Sequence, residues 1–277
     1  MLEQSSILRS NPTEEYPSFE VHLLGRRISC MTVDAVIKSV HRSCMERDKV
    51  TIANYNVHSF NLSMQLPWFY NFLQESEFAI CDSVGILKAI RYMGLDVPSA
   101  YRASFTLLMP KLLEHCNANK LSLFLLGTKP EILALALQNV RQRYPNIRLA
   151  GHHGYFGDSR EIVKKINASG TQVLMVGMGM PRQERWILEN RAALEVNAIL
   201  PGGAAIDRLA GIVPDCPNFL SNLGMEWFYR LCQEPKRLSA RYLLGNPAFA
   251  LQIALARVSS HPSERLEIQP ISVLQKS

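Results

Sequence analysis

The run Val173-Leu174-Met175-Val176-Gly177-Met178-Gly179-Met180-Pro181 passes directly into Arg182-Gln183-Glu184-Arg185-Trp186. Its first four residues have the length and branching of a buried strand, and Gly177 and Gly179 permit positive φ and close approach of a ligand to the backbone. Pro181 suits the first position of a helix. Amide N–H groups at a helix start, backed by the positive end of the macrodipole, bind anions, so this pattern offers a phosphate or diphosphate site. Gln183 and Glu184 fall in the first turn. The third glycine of the dinucleotide fingerprint is missing, and no acidic ribose partner follows a first βα unit, which argues against a nicotinamide cofactor. An ordinary strand-turn-helix corner has the same spacing.

Polar residues recur where other apolar runs stop. Asn54-Tyr55-Asn56, Asp82-Ser83, Gly127-Thr128, His152-His153 and Pro201-Gly202-Gly203 each follow one. Adjacent histidines at a strand end point to opposite faces, so His152 and His153 are not expected to share a metal.

The elements that must carry these clusters follow from periodicity. Phe19 to Leu24 and Arg27 to Cys30, about a Gly25-Arg26 turn, predict a hairpin, and a helix from Val33 to Met45 is capped by Thr32. Strands are predicted near 49–53, 78–81, 121–126, 147–151, 172–176 and 198–200, with amphipathic stretches between them. This alternation predicts an α/β fold, a Rossmann-like and mostly parallel sheet with helices on both faces. Its ligand crevice lies at the carboxyl ends of the strands. Beyond Gly211, prolines at 214, 217, 235 and 247 separate short helices, and no further strand is expected. The organisation is a flexible leader at 1–17, a core at 18–211, a helical appendage at 212–258 and a loosely ordered tail at 259–277. Trp227, Phe228, Arg230, Arg237, Arg241 and Tyr242 make the appendage an aromatic and basic surface suited to an anionic interface.

With 47% hydrophobic and 19% charged residues the chain of 277 is a globular one, and its +6 net charge points to an anionic partner. Nucleic acid is not expected, because the basic residues form no tract and no RNP, zinc-finger or basic-zipper pattern is present. The six cysteines lack zinc spacing and read as reduced core residues. No secretory h-region and no stretch of roughly 20 apolar residues is found, so a cytoplasmic protein with contact to the membrane surface is expected.

NYNVHSFNL at 54–62, CDSVG at 81–85, LFLLGTKPE at 123–131, YPNIRLAGHHGYF at 144–156, GMGMPRQERW at 177–186, GGAAIDRLAG at 202–211 and GMEWFYRLCQEPKRLSARY at 224–242 together resemble the WecG/TagA/CpsF family of bacterial glycosyltransferases. The resemblance implies inverting, metal-independent transfer of a sugar, often N-acetylmannosamine, from a UDP-sugar. The implied acceptor is a polyprenyl-diphosphate-linked saccharide at the inner face of the plasma membrane. It also implies Asp82 as catalytic base, with Arg102 facing the acceptor diphosphate or leaving group. Asn54, Asn56, Gly127, Gly177, Gly179, Gln183, Gly202, Gly203 and Asp207 would contact substrate, and Arg230, Arg237 and Arg241 of the appendage would bring the lipid-linked one. A helix cap is the alternative role for Asp82, and a first-turn helix acid that for Asp207. The sequence agrees independently on one point: its seven aspartates contain no DxD, the usual carboxylate pair for a metal-bridged sugar diphosphate.

The family's threonine two positions before Asn56 is Asn54 here, its DG is Asp82-Ser83, and its RxxGxD pattern from Arg102 carries Phe105 and Leu107. Its RAP is Asp215-Cys216-Pro217. The GMGMPRQE block is intact, so donor binding is expected to be kept while acceptor choice has changed. A catalytically silent nucleotide-sugar binder that regulates or scaffolds a polysaccharide complex is the second reading, and a homo-oligomer is open under either.

Overall fold

The computed structural model describes residues 17–214, 216, 220, 225–259 and 266–271. The expected leader up to residue 16 and most of the expected tail therefore lie outside the described residues, as do Asp215 and Pro217. The strands are β1 (Phe19–Leu23), β2 (Arg26–Cys30), β3 (Val50–Tyr55), β4 (Phe78–Cys81), β5 (Ser122–Gly127), β6 (Arg148–His152), β7 (Val173–Gly177), β8 (Ala198–Pro201) and β9 (Glu267–Pro270). They form one sheet in the order β6-β5-β7-β8-β3-β4-β2-β1-β9. From β6 to β2 every pairing is parallel, while β1 runs antiparallel to both β2 and β9.

The helices are α1 (Val33–Glu46), α2 (Val57–Gln65), α3 (Pro67–Glu75), α4 (Val84–Tyr92), α5 (Phe105–Ala118), α6 (Pro130–Arg143), α7 (Ser159–Ala168), α8 (Arg182–Asn190) and α9 (Ala205–Leu209). α10 (Glu226–Gln233), α11 (Pro235–Ser239), a π turn at Ala240–Leu244 and α12 (Gly245–Ser259) follow. The parallel strands are buried on both faces, which is why they read as continuous apolar runs. Leu123, Leu125, Val173 and Met175 pack with α1, α5, α6 and α9. Their neighbours Phe124, Leu126, Leu174 and Val176 pack with α2, α3, α4, α7, α8 and α12 on the other side. Two cores, split by the period-2 alternation of the strands, thus clamp the sheet.

Small departures from the sequence reading have local causes. The hairpin turn is Leu24-Gly25, both at positive φ, which is the two-residue primed turn that matches strand twist. β3 runs on through Asn54 and Tyr55, so Asn54 is a strand residue. Pro181 is the N-cap of α8 and Arg182 its first residue. Contrary to the expectation of no strand after Gly211, β9 pairs with β1, Ile268 opposite Val21. It was hidden because four residues with one apolar centre and a terminal proline carry almost no period, a pattern tolerated on an edge.

The connection leaving β5 leads outward to β6, and the one leaving β7 leads the other way to β8. The crevice for a ligand therefore opens beyond the carboxyl ends of β5 and β7, at Gly127 and Gly177. These two backbones nearly touch: a Cβ on Gly127, whose φ is +150°, would stand 2.2 Å from the Gly177 carbonyl oxygen. Gly127→Ala is therefore expected to destabilise the fold by about 3 kcal/mol or more. Gly157→Ala, with nothing within 4 Å, should change stability by less than about 0.5 kcal/mol. Thermal melts of the two variants beside the parent check this, and equal melting points would refute the close-approach argument.

Candidate active site

A cavity of about 1330 Å³ occupies the carboxyl edge of the sheet, bounded below by the strand ends and above by α10, the π turn and α12. Asp82 follows β4 and lines it. Its amide donates to the Tyr55 carbonyl at 2.9 Å. Its Oδ2 accepts from Asn56 Nδ2 at 3.2 Å and its Oδ1 from the Phe105 amide at the start of α5, also at 3.2 Å. Asp82 does not cap α4; that role belongs to Ser83, whose hydroxyl accepts from the Ile86 amide at 3.3 Å. The serine that replaces the family's glycine thus has a local job, and Phe105, at another departure, holds Asp82 through its backbone.

Asn56 is fixed by its own helix. Its Oδ1 accepts from the amides of His58 and Ser59, at 3.0 and 3.1 Å, closing a capping box with the Ser59 hydroxyl. That leaves Nδ2 directed at Asp82, so Asn56 orients the carboxylate. Asn54, buried, donates from Nδ2 to the Pro201 carbonyl at 3.0 Å. Its Oδ1 is buried without a hydrogen-bond partner beside the cavity it lines.

Gln183 is fully buried, and its Oε1 accepts from the amides of both Gly179 and Gly203, at 3.2 and 3.0 Å. Its own amide donates to the Gly179 carbonyl at 3.1 Å. Two amides of the helix start expected to hold a phosphate, those of Gly179 and Gln183, are thus satisfied by protein acceptors, and Gln183 is a brace between the β7 and β8 loops. Gly177, Gly179, Gly202 and Gly203 line the cavity, whereas Gly127 sits behind it, against Gly177. Asp207 lines it too, where the Thr128 hydroxyl donates to Oδ1. Thr128 holds a left-handed backbone at φ 52°, uncommon for a branched residue. The sequence places it among the polar residues at strand ends but assigns it no contact; here it holds Asp207.

Arg102 follows a 3-10 turn at Ser99–Tyr101, half-buried, and is not among the residues lining the cavity. The structure therefore does not bring it to the substrate space that the resemblance implied. Arg230 and Arg241 do line that space, and Arg230 Nε is buried there without a hydrogen-bond partner. The Arg237 side chain lies outside the described residues. Burial, aided by the Arg241 charge, lowers the His58 imidazole to about 4, so it is neutral at physiological pH. His152 and His153 do not diverge as expected: β6 ends at His152 and the two rings lie 4.4 Å apart. Four cysteines are buried and free, but Cys216 is half-buried and Cys232 exposed, which corrects their reading as core residues.

The sequence profile of the glycosyl transferase WecG/TagA/CpsF family matches residues 21–263. The chain belongs to this family. It is a glycosyltransferase of that type. Relatives from Staphylococcus aureus strains MW2 and NCTC 8325 are N-acetylglucosaminyldiphosphoundecaprenol N-acetyl-beta-D-mannosaminyltransferases. Each is 31% identical over 207 residues, covering 74% of this chain and 80% of the relative. Among the described residues no helix is long and apolar enough to cross a membrane.

Two outcomes follow from this geometry. Asn56→Ala should cost about 1 kcal/mol through the lost cap and lower turnover by releasing Asp82; a variant that melts earlier yet turns over normally would separate the two roles. Glu184 is almost wholly buried, and desolvation pushes its carboxyl up to about 7. The folded state thus holds the proton more tightly than the unfolded one, so this group's stabilisation is complete below the ordinary carboxyl range and is lost as pH rises through about 7. Glu184→Gln should flatten that decline, read as melting temperature between about pH 5 and about pH 8.

Proposed function

We propose that the chain is an inverting, metal-independent glycosyltransferase that moves an N-acetylmannosamine-like sugar from a UDP-sugar to a polyprenyl-diphosphate-linked saccharide, in cell-surface polysaccharide assembly. The observation that carries the reading is the opposition across one cavity of a doubly held carboxylate, Asp82, and two arginines, Arg230 and Arg241. The names of the staphylococcal relatives support the sugar and the lipid-linked acceptor.

In a single displacement Asp82 takes the proton of the acceptor hydroxyl as its oxygen bonds to the anomeric carbon. The bond from that carbon to the diphosphate oxygen breaks on the opposite side, inverting the centre, and UDP leaves with the electron pair. A base aimed by two donors is suited to the first event. Fixed guanidinium groups in a partly enclosed site are suited to the charge that develops on the leaving group. Arg230 and Arg241, which line the cavity, take the charge-handling role.

The same reading seats the protein on the cytoplasmic membrane surface. Leu244, Leu251, Leu255 and Val258 are exposed at spacings that share one helical face of the π turn and α12. Arg257 flanks them, its guanidinium over Tyr92 at 4.5 Å. Apolar residues beside cations are the composition of a helix lying in an anionic interface.

With a lipid-diphosphate saccharide acceptor and EDTA present, UDP-N-acetylmannosamine and UDP-glucose should be compared as donors. Transfer is expected in EDTA, and Asp82→Asn should reduce it by about 10²- to 10⁴-fold with the fold intact. Near-normal turnover in that variant would remove Asp82 from the base role, and nucleotide binding without transfer by the parent would favour the silent-binder reading. In a second experiment, Leu251→Glu with Leu255→Glu should abolish co-sedimentation with vesicles containing anionic phospholipid. Unchanged sedimentation would show that another surface meets the lipid.

A further inference from the structure

Ser104 holds the N-cap position of α5, yet its side chain makes no capping bond. Thr32, Asn56, Ser83 and Asp158 stand at the same position of α1, α2, α4 and α7, and each accepts an amide of its own first turn. A serine that omits this bond forgoes an ordinary source of helix stability. Ser104 is also buried, at 3% exposure, and its hydroxyl has no hydrogen-bond partner. Such a group is costly to keep unless something outside the folded chain completes it. Ser104 lines the cavity, and the bonds on either side of it fix its backbone to the end of β4. The Ala103 amide donates to the Cys81 carbonyl at 2.9 Å, and the Phe105 amide to Asp82 Oδ1 at 3.2 Å. With no bond to break, rotation about χ1 is enough to turn the hydroxyl to the cavity. Asn54 carries a second such atom. It pairs with Ile80 of β4, two residues before Asp82. Its Nδ2 faces the Pro201 carbonyl, which only accepts, so the amide has one orientation and its partnerless Oδ1 can only accept. The wall that carries Asp82 thus holds an unmet acceptor and an unmet hydroxyl, a pattern that hydroxyl groups complete and an apolar surface does not.

We propose that Ser104, with Asn54 beside it, is a specificity-determining contact that reads a hydroxyl of the acceptor sugar next to the one that reacts. The proposal rests on the glycosyltransferase reading, with Asp82 as the base. Ser104 and Asn54 flank the carboxylate that takes the acceptor's proton, so the groups they meet lie on ring carbons beside the reacting one. A sugar ring presents hydroxyls on adjacent carbons. One of these can donate to Asn54 Oδ1, while Ser104 Oγ both gives and receives a hydrogen bond. An acceptor without the neighbouring hydroxyl leaves a buried polar group unmet in the complex, and a site of that kind rejects such an analogue strongly. The same contact selects which hydroxyl of the acceptor stands over Asp82, so it governs the position of the new bond as well as the choice of sugar.

Transfer by the full-length chain from UDP-N-acetylmannosamine to a lipid-diphosphate N-acetylglucosamine tests this, with monodeoxy analogues that remove each acceptor hydroxyl in turn. One analogue should be inert, having lost the nucleophile, and a neighbouring one should fall by about 10- to 100-fold in kcat/KM with the parent. Ser104→Ala should lose about as much with the intact acceptor and no longer distinguish it from that neighbouring analogue, the donor KM being unchanged. The variant should melt within about 1 °C of the parent or above it, because only an unpaired hydroxyl is removed. A fall of about 2–4 °C would show that the hydroxyl caps α5 in solution. Equal relative rates across the analogues in parent and variant would show that it meets no acceptor hydroxyl, and either result overturns the proposal. A changed ranking of UDP-sugars in Ser104→Ala would put the contact on the donor and overturn the acceptor assignment. If the parent transfers to no acceptor, the enzymatic reading fails and binding decides the subsite. Titration calorimetry with the intact lipid-diphosphate saccharide should then show weaker binding to Ser104→Ala, and equal binding would end the proposal as well.

Discussion

One carbonyl oxygen, Oε1 of Gln183, answers two backbone amides from the loops after different strands, and the arrangement of the site depends on it. In a buried setting an unmet amide is costly, so the glycine loops after β7 and β8 are not free to choose their own conformations. Their positions follow from a side chain on α8, and α8 in turn is set by Trp186 and Ile187 in the core beneath it. The floor of the cavity is therefore an outcome of packing, and whatever the loops hold is placed by the same hydrophobic burial that holds the sheet together.

The opposite wall is organised by a second short-range device. Asn56 caps α2 with one end of its amide and aims Asp82 with the other, so a helix that must be capped for stability also presents an oriented carboxylate. The Phe105 amide completes the grip. The departures from the family pattern at Asn54, Ser83 and Phe105 all fall on this wall, and each has a structural contact here. With these residues in place Asp82 stays held on both carboxylate oxygens.

Much of the fold was legible because its signals are periodic. The buried parallel strands announce themselves as apolar runs, and Thr32 caps α1 by accepting from the Ala35 amide, where the sequence put it. The site was legible only in part. Asp82, Asn56 and the glycine loops stand at strand ends, and that convergence follows from topology. What no spacing could reveal is where a polar side chain spends its hydrogen bonds. Gln183 lines the cavity yet spends both ends of its side-chain amide within the protein, and Arg102 follows a 3-10 turn without joining that lining. β9 was missed for the opposite reason, since a four-residue edge strand has no period to detect.

β9 also bears on how the C-terminal helices can behave. They run between the sheet's interior, where β8 leads into α9, and its far edge, where β9 lies against β1. An appendage joined at one point could swing like a flap, but this one is a strap fastened at both ends. Its movements are confined to flexing between two fixed anchors, which keeps Arg230 and Arg241 close to the cavity mouth and makes reopening a matter of local slack instead of wholesale departure.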